Sequence, residues 1–201
     1  MKDSNHISDL IGSRICHDLI SPLGAIGTGV ELLSMSTSGA AAAPELALIG
    51  QSVDSANARI RFFRVAFGAA GKGSSLGNSE IRSILSDVYR NGRMKIVWNV
   101  DTDVPRGEAK LAFLLLQCIE NALPRGGTAK VTRAPDAKWT IAAEGERRNL
   151  DPALWQLVSD QSATGPIGAP TVHFALVAPL AAQLGREVTY QAGDTRTTIN
   201  F

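Results

Sequence analysis

The sequence predicts an α+β protein: a long helical hairpin that dimerises into a four-helix bundle, followed by a sandwich of one sheet and one helical layer. Three observations carry this. Apolar residues in the first 70 positions recur every three or four residues, the period of an amphipathic helix. A Gly/Ser-rich stretch, Gly71-Lys72-Gly73-Ser74-Ser75-Leu76-Gly77-Asn78, then reads as a linker. Beyond it, short helical patterns alternate with short strand-like runs to the last residue, the grammar of segregated helices and mostly antiparallel strands. The expected organisation is a hairpin over residues 1–70, a linker over 71–78 and a sandwich over 79–201.

Taken in order, the first helix is expected from about Ile7 to Met35, with Ile11, Ile15, Leu19, Leu23, Ile26, Val30 and Leu33 on one face. Gly39 to Pro44 makes a turn, and the proline suits the start of the second helix. That helix carries Leu46, Ile49, Val53, Ala56, Ile60, Phe63 and Phe67, a heptad seam. Two such helices on a short loop form an antiparallel hairpin. Leu10, Ile20 and Leu32 widen the first stripe beyond what one neighbour covers. A homodimer is therefore expected.

After the linker, residues 80–90 read as a helix capped by Asn78 or Ser79. Residues 95–100 read as a strand, and residues 108–123 as a strongly apolar helix closed by Pro124 and Gly126-Gly127. Residues 128–133 and 138–144 make a hairpin around Pro135-Asp136. Helices over 152–160 and 170–184 follow, and strands over 187–191 and 195–201 close the chain around Gly193-Asp194.

Composition narrows the function. In 201 residues, 20 basic against 19 acidic side chains argue against nucleic acid as the main partner. Two cysteines, Cys16 and Cys118, make no disulfide framework, which suits a reducing cytoplasm. No signal-peptide pattern opens the chain, and no apolar run is long enough to span a membrane.

The chemistry concentrates at Cys16-His17-Asp18-Leu19-Ile20-Ser21-Pro22. His17 lies two residues from both Ile15 and Leu19, so it points about 160° away from the apolar stripe. An imidazole on that side is free to meet a partner. Histidine, an acidic neighbour and a proline five positions on resemble the H-box of bacterial histidine kinases. Leu114 to Gly127, containing Glu120-Asn121-Ala122, resembles the N-box of their ATP-binding domain. The resemblance implies a histidine-kinase-type sandwich after the hairpin.

The departures matter more. Kinases of this type hold adenine with an Asp-x-Gly-x-Gly loop and wrap the phosphates with a second glycine box. This chain has Ala143-Glu144-Gly145-Glu146-Arg147-Arg148 at the first place and Pro170-Thr171-Val172-His173-Phe174-Ala175 at the second. Only glycine lets backbone approach a nucleotide so closely, so the sandwich reads as degenerate and nucleotide binding as lost. The chain thus resembles the ChpT-type histidine phosphotransferases of alphaproteobacterial cell-cycle phosphorelays, with Gly24-Ala25-Ile26-Gly27 continuing the helix-one signature.

That resemblance implies phosphate transfer between receiver-domain aspartates through phospho-His17, without ATP. The donor would be the receiver of a hybrid histidine kinase, and the acceptors response regulators of the CtrA and CpdR type. The receiver would supply the Mg2+, leaving this chain with no cofactor of its own. Two competing readings are a divergent kinase that still binds ATP and a non-catalytic adaptor for receiver domains.

On this reading His17 is the nucleophile. Asp18 accepts a hydrogen bond from the ring's other nitrogen and fixes the tautomer. Ser21, one turn on, reaches the phosphoryl group or its water, and Arg14, one turn before, steadies its charge. Pro22 loosens the helix at the site. Gly24 and Gly27 leave room for a receiver helix. His6 and His173 read as incidental or structural, Cys16 as a packing residue, and Glu120 and Asn121 as local caps.

Overall fold

The structure, a computed structural model, describes residues 2–35, 43–71, 73–146, 149–193 and 195–201, with side chains from residue 5 onward. The predicted turn around Gly39 and parts of the predicted stretches at Lys72, Arg147-Arg148 and Asp194 lie outside the described residues.

Helix α1 runs Lys2–Met35 and helix α2 runs Ala43–Ala66. α1 begins earlier than its apolar period suggests, because polar residues at the start of a helix carry no stripe to read. It passes through Pro22 as one element. Where the two helices cross, Gly29 is buried, and a side chain there would press on Ile49 Cγ1 at 2.6 Å. The missing Cβ sets the closeness of the crossing.

The second unit follows directly. Ser75–Leu76 forms β1, which pairs antiparallel with β3 at Val104–Pro105. The predicted linker therefore ends early, its last residues already structured. Between these strands lie α3 at Asn78–Tyr89 and β2 at Met94–Asn99. The first backbone N–H of α3 is met by Asp103 Oδ1 at 2.9 Å, not by Asn78 or Ser79. The cap comes from across the fold.

Helix α4, Arg106–Ala122, is buried along almost its whole length. Strands β4 at Gly127–Arg133 and β5 at Trp139–Glu144 form the expected hairpin. Helix α5 at Pro152–Ser159 is capped by Asp151, whose carboxylate accepts from Ala153 N at 2.9 Å. Helix α6 covers Val172–Gln183, entered through a short 3-10 turn at Ala169–Thr171 rather than starting at Pro170. Strands β6 at Thr189–Ala192 and β7 at Arg196–Asn200 complete a five-stranded sheet in the order β2-β4-β5-β7-β6. Only β2 and β4 run parallel in that sheet.

One core joins the hairpin root to the sandwich. Phe62, Phe63, Val65 and Ala66 of α2 are buried in the same cluster as α4 and the sheet, and the rings of Phe62 and Phe113 lie 4.8 Å apart. Inside the sandwich, the buried Glu108 accepts from Trp139 Nε1 at 2.9 Å and Arg133 Nε at 3.2 Å, and pairs with Arg186. This satisfies a carboxylate that would otherwise be costly to bury.

The heptad seam of α2 does not behave as one stripe. Ala56 and Phe63 are buried, whereas Leu46, Val53 and Ile60 are exposed. Ile20, Leu23, Val30, Leu32 and Met35 of α1 are exposed as well. Within one copy, the distal part of the hairpin keeps an open apolar face.

Candidate functional site

His17 stands on α1 with 79% of its side chain exposed. Its Nδ1 lies 3.1 Å from Asp18 Oδ1, while no protein partner of Nε2 is found among the described residues. A proton on Nδ1 would be donated to the carboxylate, leaving a lone pair on the outward nitrogen. Adjacent helix residues rarely pair this way, since they diverge by about 100°. Here the short aspartate turns inward, and its first oxygen stays under the ring.

Asp18 is nearly buried, with 10% of its side chain exposed. Its second oxygen meets Arg14 Nε at 3.0 Å and Arg59 Nη1, from α2, at 3.7 Å. The contact with Arg14 is close but poorly aligned for a hydrogen bond, so it is ionic in character. Arg14 Nη1 also donates to the carbonyl of Pro170, 3.2 Å away at the entry to α6. Arg14 is thus engaged with its own i+4 neighbour and with the C-terminal unit.

Ser21 is exposed one turn past His17. Gly24 and Gly27 are exposed, with nothing within 4 Å of where a Cβ would stand. The surface beyond the histidine is therefore low and unobstructed. Cys16 is exposed and unpaired, whereas Cys118 is buried.

Behind Asp18 opens a cleft of about 460 Å³ between the hairpin and the C-terminal unit, lined by Arg14, Asp18, Arg59, Arg93, Tyr89 and Glu120 among others. Glu120 is open to solvent on one side but walled by protein elsewhere, and this desolvation raises its carboxyl above the usual range. The Tyr89 hydroxyl donates to Glu120 Oε2 at 3.4 Å, and burial pushes the phenol up. Glu120 therefore reaches across to α3 and faces the arginines, rather than capping its own helix. Arg59 is not legible from the residues around His17, because it comes from another helix, and Glu120 stands out only through the N-box resemblance. Reflection of one helix onto the other about the predicted turn at Gly39 does place position 59 or 60 opposite Asp18, as it places Ile49 opposite Gly29.

The two remaining histidines divide. His6 is exposed near the start of α1. His173 is buried on α6, its ring 4.7 Å from that of Phe174, and among the described residues neither ring nitrogen has a well-aligned hydrogen-bond partner, the Gln117 backbone being the group nearest to that role. Burial, aided by the positive Arg14, lowers its pKa to about 3. Where a nucleotide-binding kinase needs glycine, Val172 and Phe174 lie wholly buried in the core. Gly145 sits against the carbonyl of Gly126 and the side chain of Leu123.

Comparison with known proteins agrees with this organisation. The family model "Histidine phosphotransferase C-terminal domain" matches residues 78–196. Protein phosphotransferase ChpT of Brucella abortus (strain 2308) is 33% identical over 188 residues, which cover 91% of this chain and 88% of that one. A solved bacterial phosphotransferase superposes with a TM-score of 0.78 at 29% identity, over 97% of this chain and 95% of that chain. The histidine kinase domain of a blue-light activated kinase from Erythrobacter litoralis EL346 is 17% identical with a TM-score of 0.45, over 89% of this chain and 93% of the other. On the family match and the ChpT relative, the chain belongs to the histidine phosphotransferases, enzymes of phosphorelay signalling.

Proposed function

We propose that the chain relays a phosphoryl group between receiver-domain aspartates as phospho-His17, with no nucleotide in the transfer. The observation that carries this is the pairing of an exposed imidazole with a nearly buried carboxylate, Nδ1 to Asp18 Oδ1 at 3.1 Å.

In the step itself, the Nε2 lone pair attacks the phosphorus of a phosphoaspartate in line with the bond to the carboxyl oxygen. The N–P bond forms as that P–O bond breaks, returning the donor's carboxylate. The ring keeps its proton on Nδ1, and the resulting positive charge faces Asp18. Transfer to a second receiver runs the same step backwards. A Mg2+ ion held by the receiver would neutralise charge on the phosphoryl group, so this chain contributes one nitrogen and its orientation. Ser21 stands where it can donate to a phosphoryl oxygen, and Gly24 and Gly27 leave the approach clear.

Independence from ATP rests on the packed state of Val172, Phe174 and Gly145. A second copy of the chain covers the open apolar face of the hairpin, giving a four-helix bundle. On this proposal the donor is the receiver of a hybrid kinase and the acceptors are regulators of the CtrA and CpdR type in cell-cycle control, as the resemblance of the helix-one signature implies. No helix among the described residues is long and apolar enough to cross a membrane, and the reading places the protein in the cytoplasm.

The test is incubation with a phosphorylated receiver, with and without ATP. Wild type gains acid-labile phosphate on His17 from the receiver alone, and His17→Ala gains none. Labelling of the alanine variant, or labelling of wild type from ATP alone, would overturn the reading.

A further inference from the structure

We infer that Arg59 is a positioning residue for phosphotransfer: from the second helix it holds the Asp18 carboxylate so that Oδ1 stays under His17 Nδ1. This rests on phospho-His17 as the intermediate.

The Asp18 carboxylate has two oxygens with separate duties. Oδ1 faces the imidazole at 3.1 Å, and Oδ2 faces Arg14 at 3.0 Å and Arg59 at 3.7 Å. A nearly buried carboxylate with one oxygen unpaired would rotate or draw in water to satisfy it. The cations on Oδ2 hold the carboxylate plane. Arg14 alone is a weak restraint, because it belongs to the same helix, is poorly aligned, and also serves the Pro170 carbonyl. Arg59 approaches from α2 at 3.7 Å, an ionic contact rather than a hydrogen bond, and its pull on Oδ2 comes from a second helix and so resists a turn of the carboxylate that Arg14 alone would allow.

Glu120 bears on the same arrangement from the far wall of the cleft. Glu120 lines the same cleft as Arg14, Arg59 and Asp18, close enough for its charge to be felt by all three. Arg59 reaches Asp18, while Glu120 is held by the Tyr89 hydroxyl. The tautomer follows. Free imidazole favours a proton on Nε2, which blocks the outward nitrogen; a fixed acceptor beneath Nδ1 reverses that preference. Arg59 secures the acceptor.

The experiment compares Arg59→Ala, Arg59→Lys, Asp18→Ala and the Asp18→Ala/Arg59→Ala pair in the full chain. Nitrogen chemical shifts of the His17 ring report the tautomer, and single-turnover transfer from a phosphorylated receiver reports the rate. Arg59→Ala is expected to shift the neutral ring toward the Nε2–H form and slow transfer about tenfold, the effect of losing one oriented partner. Arg59→Lys keeps a charge there and recovers part of both. In the Asp18→Ala background, removal of Arg59 adds nothing. An unchanged tautomer in Arg59→Ala overturns the inference. So does a full extra loss in the double variant, which would mean that Arg59 acts directly on the phosphoryl group. Should wild type itself carry no phosphate on His17, the proposed function fails instead, a result these arms distinguish.

Discussion

The root and the tip of the hairpin are built from the same kinds of residue and end in opposite states. At the root, Phe62, Phe63, Val65 and Ala66 are sealed against α3, α4 and the sheet. Toward the tip and along the outer faces, Ile20, Leu23, Val30, Leu46 and Val53 lie 40–67% exposed. Burial of such side chains stabilises by roughly 1.5–3 kcal/mol each, so the outer faces forgo a large gain that the root collects. The difference lies in neighbours, not in composition. The sandwich covers one end, and among the described residues nothing covers the other.

Three substitutions sharpen that contrast. Phe113→Ala removes the ring that Phe62 packs against and should cost about 3–5 kcal/mol, read as a lower urea midpoint for the whole chain. A transition lost from the sandwich alone would show that root and sandwich are separate. Leu23→Glu with Val30→Glu puts charge on the open face. The expected result is a dimer dissociation constant raised at least about 100-fold, about 2.7 kcal/mol, with the near-ultraviolet signal of the sandwich unchanged. Sedimentation measures the first and circular dichroism the second. Unaltered self-association would remove this face from the dimer interface.

The smallest effect concerns His173, sealed in the core beside Phe174. Its folded pKa is about 3, against an unfolded value near 6.5. Between those values the unfolded chain holds the extra proton, so stability rises with pH and is lost on acidification below about 6.5. The slope due to this residue approaches about 1.4 kcal/mol per pH unit. His173→Phe should flatten the fall in stability between about pH 6 and 4, as followed by urea midpoints. A parallel fall in both proteins would mean that the ring is hydrated or paired in solution.

Periodicity made the long elements legible. The stripe of α1, the apolar run of α4 and the strand pair around Pro135 each follow a repeat the chain states locally. The outward position of His17 followed from the same repeat. What it does not state is who covers a stripe, so the α2 seam reads as one core although Ala56 faces its own chain and Ile60 faces solvent. Two-residue strands such as β1 carry no period at all, and Ser75–Leu76 reads as linker. The cap on α3 comes from Asp103, twenty-five positions away, and Arg59 meets Asp18 across forty-one. Contacts between elements are set by the tertiary fold, and a single residue's neighbours along the chain do not announce them.

The bond from Arg14 to the Pro170 carbonyl ties the first helix to a turn 156 positions later. Together with the aromatic root, it makes the hairpin a poor candidate for excision. A fragment ending near Gly71 would carry Phe62 and Phe63 naked into water and leave the guanidinium of Arg14 without its carbonyl. Studies of the hairpin in isolation would therefore describe a damaged molecule, and the sandwich is better regarded as its foundation than as its passenger.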